Sequence, residues 1–331
     1  MPDPRLEDRF TAPAGWRWHY LKRNGYRLRF GSVFPKDSIP DGIVVCLPGL
    51  SEFGEKYFEV ARDCLAKNLA FWVLDWRGQG LSDRYLKNPH KRHSKGFSHD
   101  VEDLHDFILG YVKHSSVHPD KGRIPMVMLA HSMGANIGLH YLHAYPDMFE
   151  CAAFTAPMFG VHALRVLPDS LALPMTGILN ALGGTAYVPG GSDWSGAFRI
   201  TKSKDLFSSD IKRAAVHNAW CEADPRLQVG SPTLGWLYHA CKSCRNLRKI
   251  RFVKSIQTPS LIALAGEDTL VDNDIACFVA REMPHAELLQ FHDAKHEILM
   301  EHDIIRRPFM DAFFKLIEET IISRPETLKP F

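Results

Sequence analysis

The stretch MVMLAHSMGAN, residues 126–136, decides the fold of this chain. A short apolar run of the kind found in buried strands passes through a small-x-Ser-x-Gly motif into a helix-forming segment, which is the local context of a nucleophile elbow. Small residues at Ala130 and Gly134 allow a sharp turn with Ser132 at its tip, although Gly is usual where Ala130 stands. The stretch therefore predicts a strand, a tight turn and a helix, with Ser132 as the candidate nucleophile. The alternative is a purely structural turn.

A serine nucleophile needs two partners further along the chain. A neutral imidazole must take the hydroxyl proton, and a carboxylate must fix the tautomer of that imidazole. After a nucleophile elbow these groups come in the chain order Ser, Asp or Glu, His. Asp268 stands just after a predicted strand, and His296 stands in the loop after the next one. We therefore expect Asp268 and His296 to complete a catalytic triad, with Glu267 or Asp272 as the alternative acid and His292 as the alternative base.

An acyl-transfer site also needs two backbone N–H groups that stabilise the oxyanion of the tetrahedral intermediate. One is expected from Met133, the residue after the nucleophile. The other is expected from the turn after the apolar run 43–47. Because Pro48 has no N–H and Gly49 frees the turn, Leu50 is the predicted second donor.

Apolar runs alternate with amphipathic helical patterns in the first half of the chain, which is typical of a mostly parallel, doubly wound α/β sheet. The alternation stops after Pro157 and resumes at Leu261, and breakers such as Gly183-Gly184 interrupt the stretch between them. We interpret that stretch as an inserted helical lid. The predicted strands are 43–47, 70–75, 126–130, 151–155, 261–265 and 286–291. The predicted division is a core over 1–156, a lid or cap over 157–248 and the second part of the core over 249–331.

Composition excludes several classes of protein. The 331 residues include 40 Lys and Arg against 38 Asp and Glu, and a formal charge of +2 gives no field suited to nucleic acid. No run approaches the roughly 20 apolar residues of a membrane-spanning helix, and the first residues lack the pattern of a signal peptide. The one C-x-x-C, Cys241 with Cys244, has no second ligand pair at metal spacing. We therefore expect a cytoplasmic protein that uses no metal and no cofactor.

These motifs together resemble the α/β-hydrolase superfamily, and within it the bacterial lysophospholipase and monoacylglycerol lipase-like branch. The resemblance extends over about residues 43–314. Two positions depart from the branch, because Pro48-Gly49 stands where His-Gly is usual and Ala130 stands where Gly is usual. The main matching segments are DWRGQGLS (75–82), NPH (88–90), HSMG (131–134), DPR (224–226), PTLGW (232–236), GED (266–268) and HEILME (296–301).

The resemblance implies a serine hydrolase that cleaves carboxylic esters of single-chain lipids, such as lysophospholipids or monoacylglycerols, through an acyl-enzyme on Ser132. The alternatives are a general carboxylesterase, an acyltransferase on the same triad, and a non-catalytic binding protein on the same scaffold. In the lid, Met158, Phe159 and Leu164 are candidates for an apolar substrate wall, or for contacts that only hold the lid to the core. Basic residues over 242–254 form either a solvated helix face or a patch for peripheral contact with the inner face of a membrane.

Overall fold

The architecture comes from a computed structural model that describes residues 5–165, 167–201 and 204–323. Its strands are β1 (Arg17–Arg23), β2 (Tyr26–Val33), β3 (Gly42–Leu47), β4 (Leu69–Leu74), β5 (Val117–His118), β6 (Gly122–Arg123), β7 (Met126–His131), β8 (Cys151–Thr155), β9 (Ile200–Thr201), β10 (Lys204–Asp205), β11 (Ser260–Ala265) and β12 (Ala286–Phe291). Its helices are α1 (Phe58–Ala66), α2 (Phe97–Phe107), α3 (Met133–Ala144), α4 (Asp169–Gly183), α5 (Ile211–Ala223), α6 (Leu234–Leu247), α7 (Ile250–Lys254), α8 (Asn273–Glu282) and α9 (Asp303–Ile317).

Eight of these strands form one sheet in the order β1-β2-β4-β3-β7-β8-β11-β12. β2 pairs antiparallel with β1 and with β4, and the remaining neighbours pair in parallel. The carboxyl ends of the parallel strands therefore meet at one edge of the sheet, where ligands bind in open α/β sheets. The remaining strands form two short hairpins, β5 with β6 and β9 with β10.

Helices cover both faces of the sheet because its central strands are apolar on both sides. In β3, Ile43 and Val45 belong to an apolar cluster that includes residues of α2, α3 and α8, whereas Val44 and Cys46 belong to a second cluster that includes residues of α1 and α9. Every residue of β3, β4, β7, β8 and β11 is buried. Continuous apolar strands of this kind are typical of parallel sheets covered by helices.

The hairpin of β1 and β2 is an element that the sequence interpretation missed. Its turn is Asn24-Gly25, and both residues have positive φ, of 48° and 79°. An Asn-Gly pair between two strands is a strong hairpin signal because both positions tolerate the left-handed conformation that a two-residue turn requires. The pair was available in the sequence and predicts this hairpin.

The segment predicted as the lid contains α4, α5, α6 and the β9–β10 hairpin. Within the described residues it adds no strand to the main sheet, and α4 packs along α6. The exact boundaries at 157 and 248 stay a prediction. Searched over its described residues, the chain has no helix that is long and apolar enough to cross a membrane.

Candidate active site

Ser132 lies in the tight turn between β7 and α3, with φ 50° and ψ −114°. This strained conformation costs on the order of 1–3 kcal/mol and is kept where surrounding structure enforces it. The Ser132 N–H donates to the Thr155 carbonyl at the end of β8 at 3.0 Å. A Cβ atom at Gly134 would lie 2.1 Å from the Leu47 carbonyl oxygen, so this position accepts only glycine without a shift of the backbone.

The structure brings Ser132, His296 and Asp268 into one line of hydrogen bonds. His296 Nε2 is 2.9 Å from Ser132 Oγ, and His296 Nδ1 is 2.6 Å from Asp268 Oδ2. The second carboxylate oxygen of Asp268 accepts the N–H groups of Leu270 and Val271 at 2.7 and 3.1 Å. All three side chains are buried. This is the geometry that a nucleophile, a base and an orienting acid require.

The alternative acids and base have other positions. Glu267 and His292 are exposed to solvent. Asp272 caps α8 by accepting the N–H groups of Asp274 and Ile275. Its carboxylate therefore serves the helix end, and the geometry favours Asp268 and His296.

Burial and the neighbouring carboxylates have opposite effects on the pKa of His296. Burial disfavours the imidazolium, but Asp268, Glu297 and Glu52 together raise the pKa of His296 above its ordinary value. Burial likewise works against the charged form of Asp268, yet its hydrogen bond and attraction to His296 hold the pKa of this carboxyl below the ordinary value. Both directions favour an ionised Asp268 beside a protonated His296, which is the pairing that a triad requires when its base takes a proton.

The turn after β3 places Leu50 in the wall of a cavity that Ser132 also lines. Trp76 Nε1 donates to the Pro48 carbonyl at 2.7 Å, and Gln79 Nε2 donates to the Gly49 carbonyl at 2.7 Å. The Gly49 N–H donates to Glu52 at 2.5 Å, and the Ser51 N–H donates to Gln79 at 3.1 Å. In the described part of the chain no acceptor engages the N–H of Leu50 or of Met133, so these two groups remain available for an oxyanion.

A cavity of about 270 Å³ opens onto Ser132 and His296. Most of its wall is apolar, from residues that include Leu50, Met158, Val161, Val229, Trp236 and Leu270. Its polar part contains Arg199, His217 and Glu297. His217 is buried, and its Nδ1 atom has no hydrogen-bond partner among the described residues.

Two of the three predicted lid contacts lie away from this cavity. Met158 lines it. Phe159 is instead fully buried in the core, with its ring centroid 6.1 Å from that of Phe154. Leu164 lines a separate small cavity with Ala172 and Cys241. The prediction of Phe159 and Leu164 as substrate contacts is corrected on this ground, because Phe159 is buried in the core and Leu164 lies against α4 and α6, away from the cavity at Ser132.

No group of three or more His, Cys, Asp or Glu within residues 5–165, 167–201 and 204–323 is arranged to hold a metal ion. The C-x-x-C cysteines, Cys241 and Cys244, are buried free thiols on α6.

A family model described as serine aminopeptidase, S33 matches residues 38–303. The chain belongs to this family. Lysophospholipase L2 of Escherichia coli strain K12 is 30% identical over 82% of this chain and 79% of that protein. The probable lysophospholipase L2 of Haemophilus influenzae is 27% identical over 86% of each. The solved structure of a monoglyceride lipase from Saccharomyces cerevisiae, 15% identical, aligns over 96% of this chain and all of that one with a TM-score of 0.73.

Membership in the S33 family, the two lysophospholipase relatives and the similar solved structure together confirm the predicted superfamily and branch, the α/β-hydrolase fold and the assignment of the chain as a serine hydrolase. The family is named after a peptidase, whereas the two bacterial relatives are named lysophospholipases. The choice between these substrate classes therefore depends on the chemistry of the cavity.

In this S33-family chain a buried ion network lies beside the triad. The sequence interpretation did not predict this network. Lys56 Nζ is 2.5 Å from Glu52 and 2.6 Å from Glu297, and Glu297 also receives two hydrogen bonds of 2.8 Å from Arg199. Burial alone would raise the pKa of Glu52 and of Glu297, but these cations hold both values below the ordinary range. Sequence spacing indicates only the i, i+4 pair of Glu52 with Lys56, since the other partners meet through the tertiary fold.

Proposed function

We propose that this chain is an esterase in which Ser132, His296 and Asp268 act as nucleophile, base and orienting acid. His296 Nε2 takes the Ser132 proton as Oγ forms a bond to the acyl carbon, and the developing oxyanion is held by the N–H groups of Leu50 and Met133. The tetrahedral intermediate then expels the alcohol, which receives the proton from His296. Water activated by the same imidazole hydrolyses the acyl-enzyme and restores Ser132.

The proposed substrates are esters of lipids with one acyl chain, lysophospholipids or monoacylglycerols. The observation that carries this proposal is the triad at the end of a mostly apolar cavity of about 270 Å³. Pockets for small ligands usually span roughly 300–1,000 Å³, so this cavity suits one chain better than two. Each methylene that leaves water contributes roughly 0.8 kcal/mol. The names of the two lysophospholipase relatives support the same class.

The cavity is less suited to binding a peptide with a free amino terminus than to binding an ester. Such a substrate needs a carboxylate that can bind its ammonium group, because an unpaired charge is costly to bury. The carboxylates among the described lining residues are Glu52 and Glu297. Each already has a cationic partner, Lys56 for Glu52 and both Lys56 and Arg199 for Glu297. This pairing favours esters over aminopeptides.

Initial rates on matched substrates test the proposal. We expect a one-chain lysophospholipid and a monoacylglycerol to be cleaved at least tenfold faster than their two-chain counterparts, with no loss on addition of a chelator. An aminoacyl nitroanilide serves as the peptidase control and should be a poor substrate. Ser132→Ala should fold and lose nearly all activity and fluorophosphonate labelling. Equal rates on one-chain and two-chain lipids would leave a general carboxylesterase, and an active Ser132→Ala would reject the triad.

A membrane surface is the proposed source of these substrates. On α4 the side chains of Leu171, Met175, Ile178, Leu179 and Leu182 are exposed at helical spacing, with Ile178 at 61% and Leu182 at 83%. An exposed apolar stripe of this kind is typical of a helix that contacts another surface. The basic residues Arg245 and Arg248 lie beside α4, in a cleft with Ala172 and Leu173. We propose that this face of the lid contacts a bilayer that contains anionic lipid. The cytoplasmic location stays a prediction.

Vesicle sedimentation tests this contact. The wild-type chain should bind vesicles of phosphatidylglycerol more strongly than vesicles of phosphatidylcholine, and the double variant Ile178→Ser with Leu182→Ser should lose most of that binding. Ile304→Ser is the matched control, since Ile304 is also 83% exposed but lies on α9 of the core. Undiminished binding of the double variant, or an equal loss in Ile304→Ser, would contradict the assignment to α4.

A further inference from the structure

Arg199 connects the lid to the loop that carries His296. It ends a short 3-10 turn, Gly196–Arg199, and its side chain is buried. Its Nη1 and Nη2 atoms each donate to Glu297 at 2.8 Å, in the forked geometry that is the strongest form of an arginine–carboxylate pair. Glu297 is the residue directly after His296. The lid therefore holds the backbone next to the imidazole.

The residues after Arg199 extend this connection along the loop. The Glu297 N–H donates to the Phe207 carbonyl at 2.8 Å, and Ser208 Oγ donates to the Met300 carbonyl at 2.5 Å. Lys295 Nζ donates to the Asp205 carbonyl at 2.7 Å. The lid thus makes hydrogen bonds on both sides of His296 along the chain.

The same network of buried charges reaches the turn after β3, which contains the predicted oxyanion donor Leu50. Glu297 pairs with Lys56, Lys56 pairs with Glu52, and Glu52 accepts the Gly49 N–H at 2.5 Å. Gly49 directly precedes Leu50. A continuous series of buried charges therefore joins the lid, the base and the predicted oxyanion donor.

Arg199 has little capacity left to bind a substrate, although it lines the cavity. Besides Glu297, its Nε and Nη2 atoms donate to Asp205 at 3.2 and 3.4 Å, and its guanidinium lies 4.3 Å from the centre of the Phe207 ring. Without Arg199, the buried carboxylates Glu52 and Glu297 would share the single ammonium of Lys56. Leaving a buried charge without its partner is unfavourable, so Glu297 would have to move or gain a proton.

From this geometry we propose that Arg199 is a positioning residue for catalysis, which acts through Glu297 to fix His296 against Ser132. The proposal rests on the esterase function proposed above. A displacement of about 1 Å between reacting groups can reduce a rate by about 100-fold. The expected effect is therefore a lower kcat on every ester, including esters too short to fill the cavity.

The matched control is Arg213, another buried arginine that joins the lid to the core. Its Nε and Nη2 atoms donate to Glu59 of α1 at 2.8 Å each. In the described part of the chain, its contact with the His296 loop is a hydrogen bond to the Glu301 carbonyl and not to Glu297. Arg199→Met and Arg213→Met each remove a forked lid-to-core ion pair, but only the first removes a partner of Glu297.

The measurements are kcat and KM on p-nitrophenyl acetate, the rate of fluorophosphonate labelling, and thermal unfolding. We expect Arg199→Met to lower kcat and the labelling rate by about 10- to 100-fold with KM changed by less than about threefold, and Arg199→Lys to recover part of the loss. Arg213→Met should keep kcat within about threefold of wild type even if it unfolds at a lower temperature. If Arg199→Met does not fold, Arg199→Lys decides by the same criterion of a lower kcat at unchanged KM.

Three results would overturn the proposal. They are an unchanged kcat in the Arg199 variants, a higher KM at unchanged kcat, and an equal loss of kcat in Arg213→Met. The first shows that Arg199 is not needed, the second that it binds substrate, and the third that general loosening of the lid is responsible. Ser132→Ala is assayed in parallel, since residual activity in that variant would reject the esterase mechanism itself, whatever the Arg199 variants show.

Discussion

Replacement of Gly134 by alanine tests whether the two proposed oxyanion donors depend on close contact between the elbow and the turn after β3. A Cβ atom at position 134 would lie 2.1 Å from the Leu47 carbonyl oxygen and 2.6 Å from the Pro48 carbonyl oxygen. Both neighbours are backbone atoms at the end of β3, so they cannot rotate away as a side chain can. The helix start and the turn must therefore separate.

The size of the effect follows from these distances. Cβ atoms essentially never approach another heavy atom more closely than 3.0 Å, so the backbone must open by about 1 Å. Met133 lies on the helix side of this contact and Leu50 on the turn side, and the change would pull their N–H groups apart. Removal of one oxyanion donor costs about 10²- to 10³-fold in kcat. Overpacking of this kind destabilises a fold by about 1–3 kcal/mol.

The assay is kcat on a short p-nitrophenyl ester, together with fluorophosphonate labelling and denaturant unfolding. Gly138→Ala is the matched control on the same helix, because its Cβ would lie 2.6 Å from the Sδ atom of Met128, the flexible end of a side chain. Gly134→Ala should lose about 100-fold or more in kcat, whereas Gly138→Ala should lose stability with kcat within about threefold of wild type. A folded Gly134→Ala with normal kcat would refute the reasoning, and so would an equal loss in both variants.

Further predictions concern the acid, the pH profile and the acyl wall. Asp268→Asn should reduce kcat by about 10³- to 10⁴-fold with little change in KM, because the tautomer of His296 is no longer fixed. Glu267→Gln is the control and should have nearly wild-type kcat, since Glu267 is exposed. A larger loss of kcat in Glu267→Gln would identify Glu267 as the acid. His296 must be neutral to accept a proton, and its pKa is raised, so kcat/KM should fall as the pH drops through a value above the ordinary 6.5 of histidine. In Asp268→Asn the residual activity should have this acidic limb at lower pH, and an unshifted limb would show that Asp268 does not set it. Met158→Ser should raise KM for long-chain esters several-fold more than for acetate esters, since Met158 lines the cavity, and an equal change on both would exclude an acyl-wall role.

The features that could be predicted from the sequence are those that adjacent residues determine. Cys151–Thr155 and Ala286–Phe291 form strands over the predicted residues, because each is a short apolar or alternating run between turn residues. Ser132, Asp268 and His296 could be predicted because each follows a strand of a parallel sheet, and such strand ends share one edge. The hairpin at Asn24-Gly25 was also predictable from its turn.

The remaining features depend on contacts between distant segments. Arg199 and Glu297 are 98 positions apart, and although Glu297 follows His296 directly in the chain, no local pattern pairs it with Arg199. Phe159 fits a substrate wall by its apolar character, but only the path of the chain after Met158 shows that it packs against Phe154. Hydrophobicity indicates that a side chain is buried without indicating which cavity or core it joins.

Ser132 and the turn that contains Leu50 are held in place by different contacts from those that hold His296. Ser132 and the Leu50 turn are fixed from within the core, through the Thr155 carbonyl and through Gln79 and Trp76. His296 receives support from the lid as well, because Glu297 is bound by Arg199 and by the Phe207 carbonyl. The segment predicted as the lid therefore contributes Arg199 and Phe207 to the cavity wall and also binds the residue next to His296.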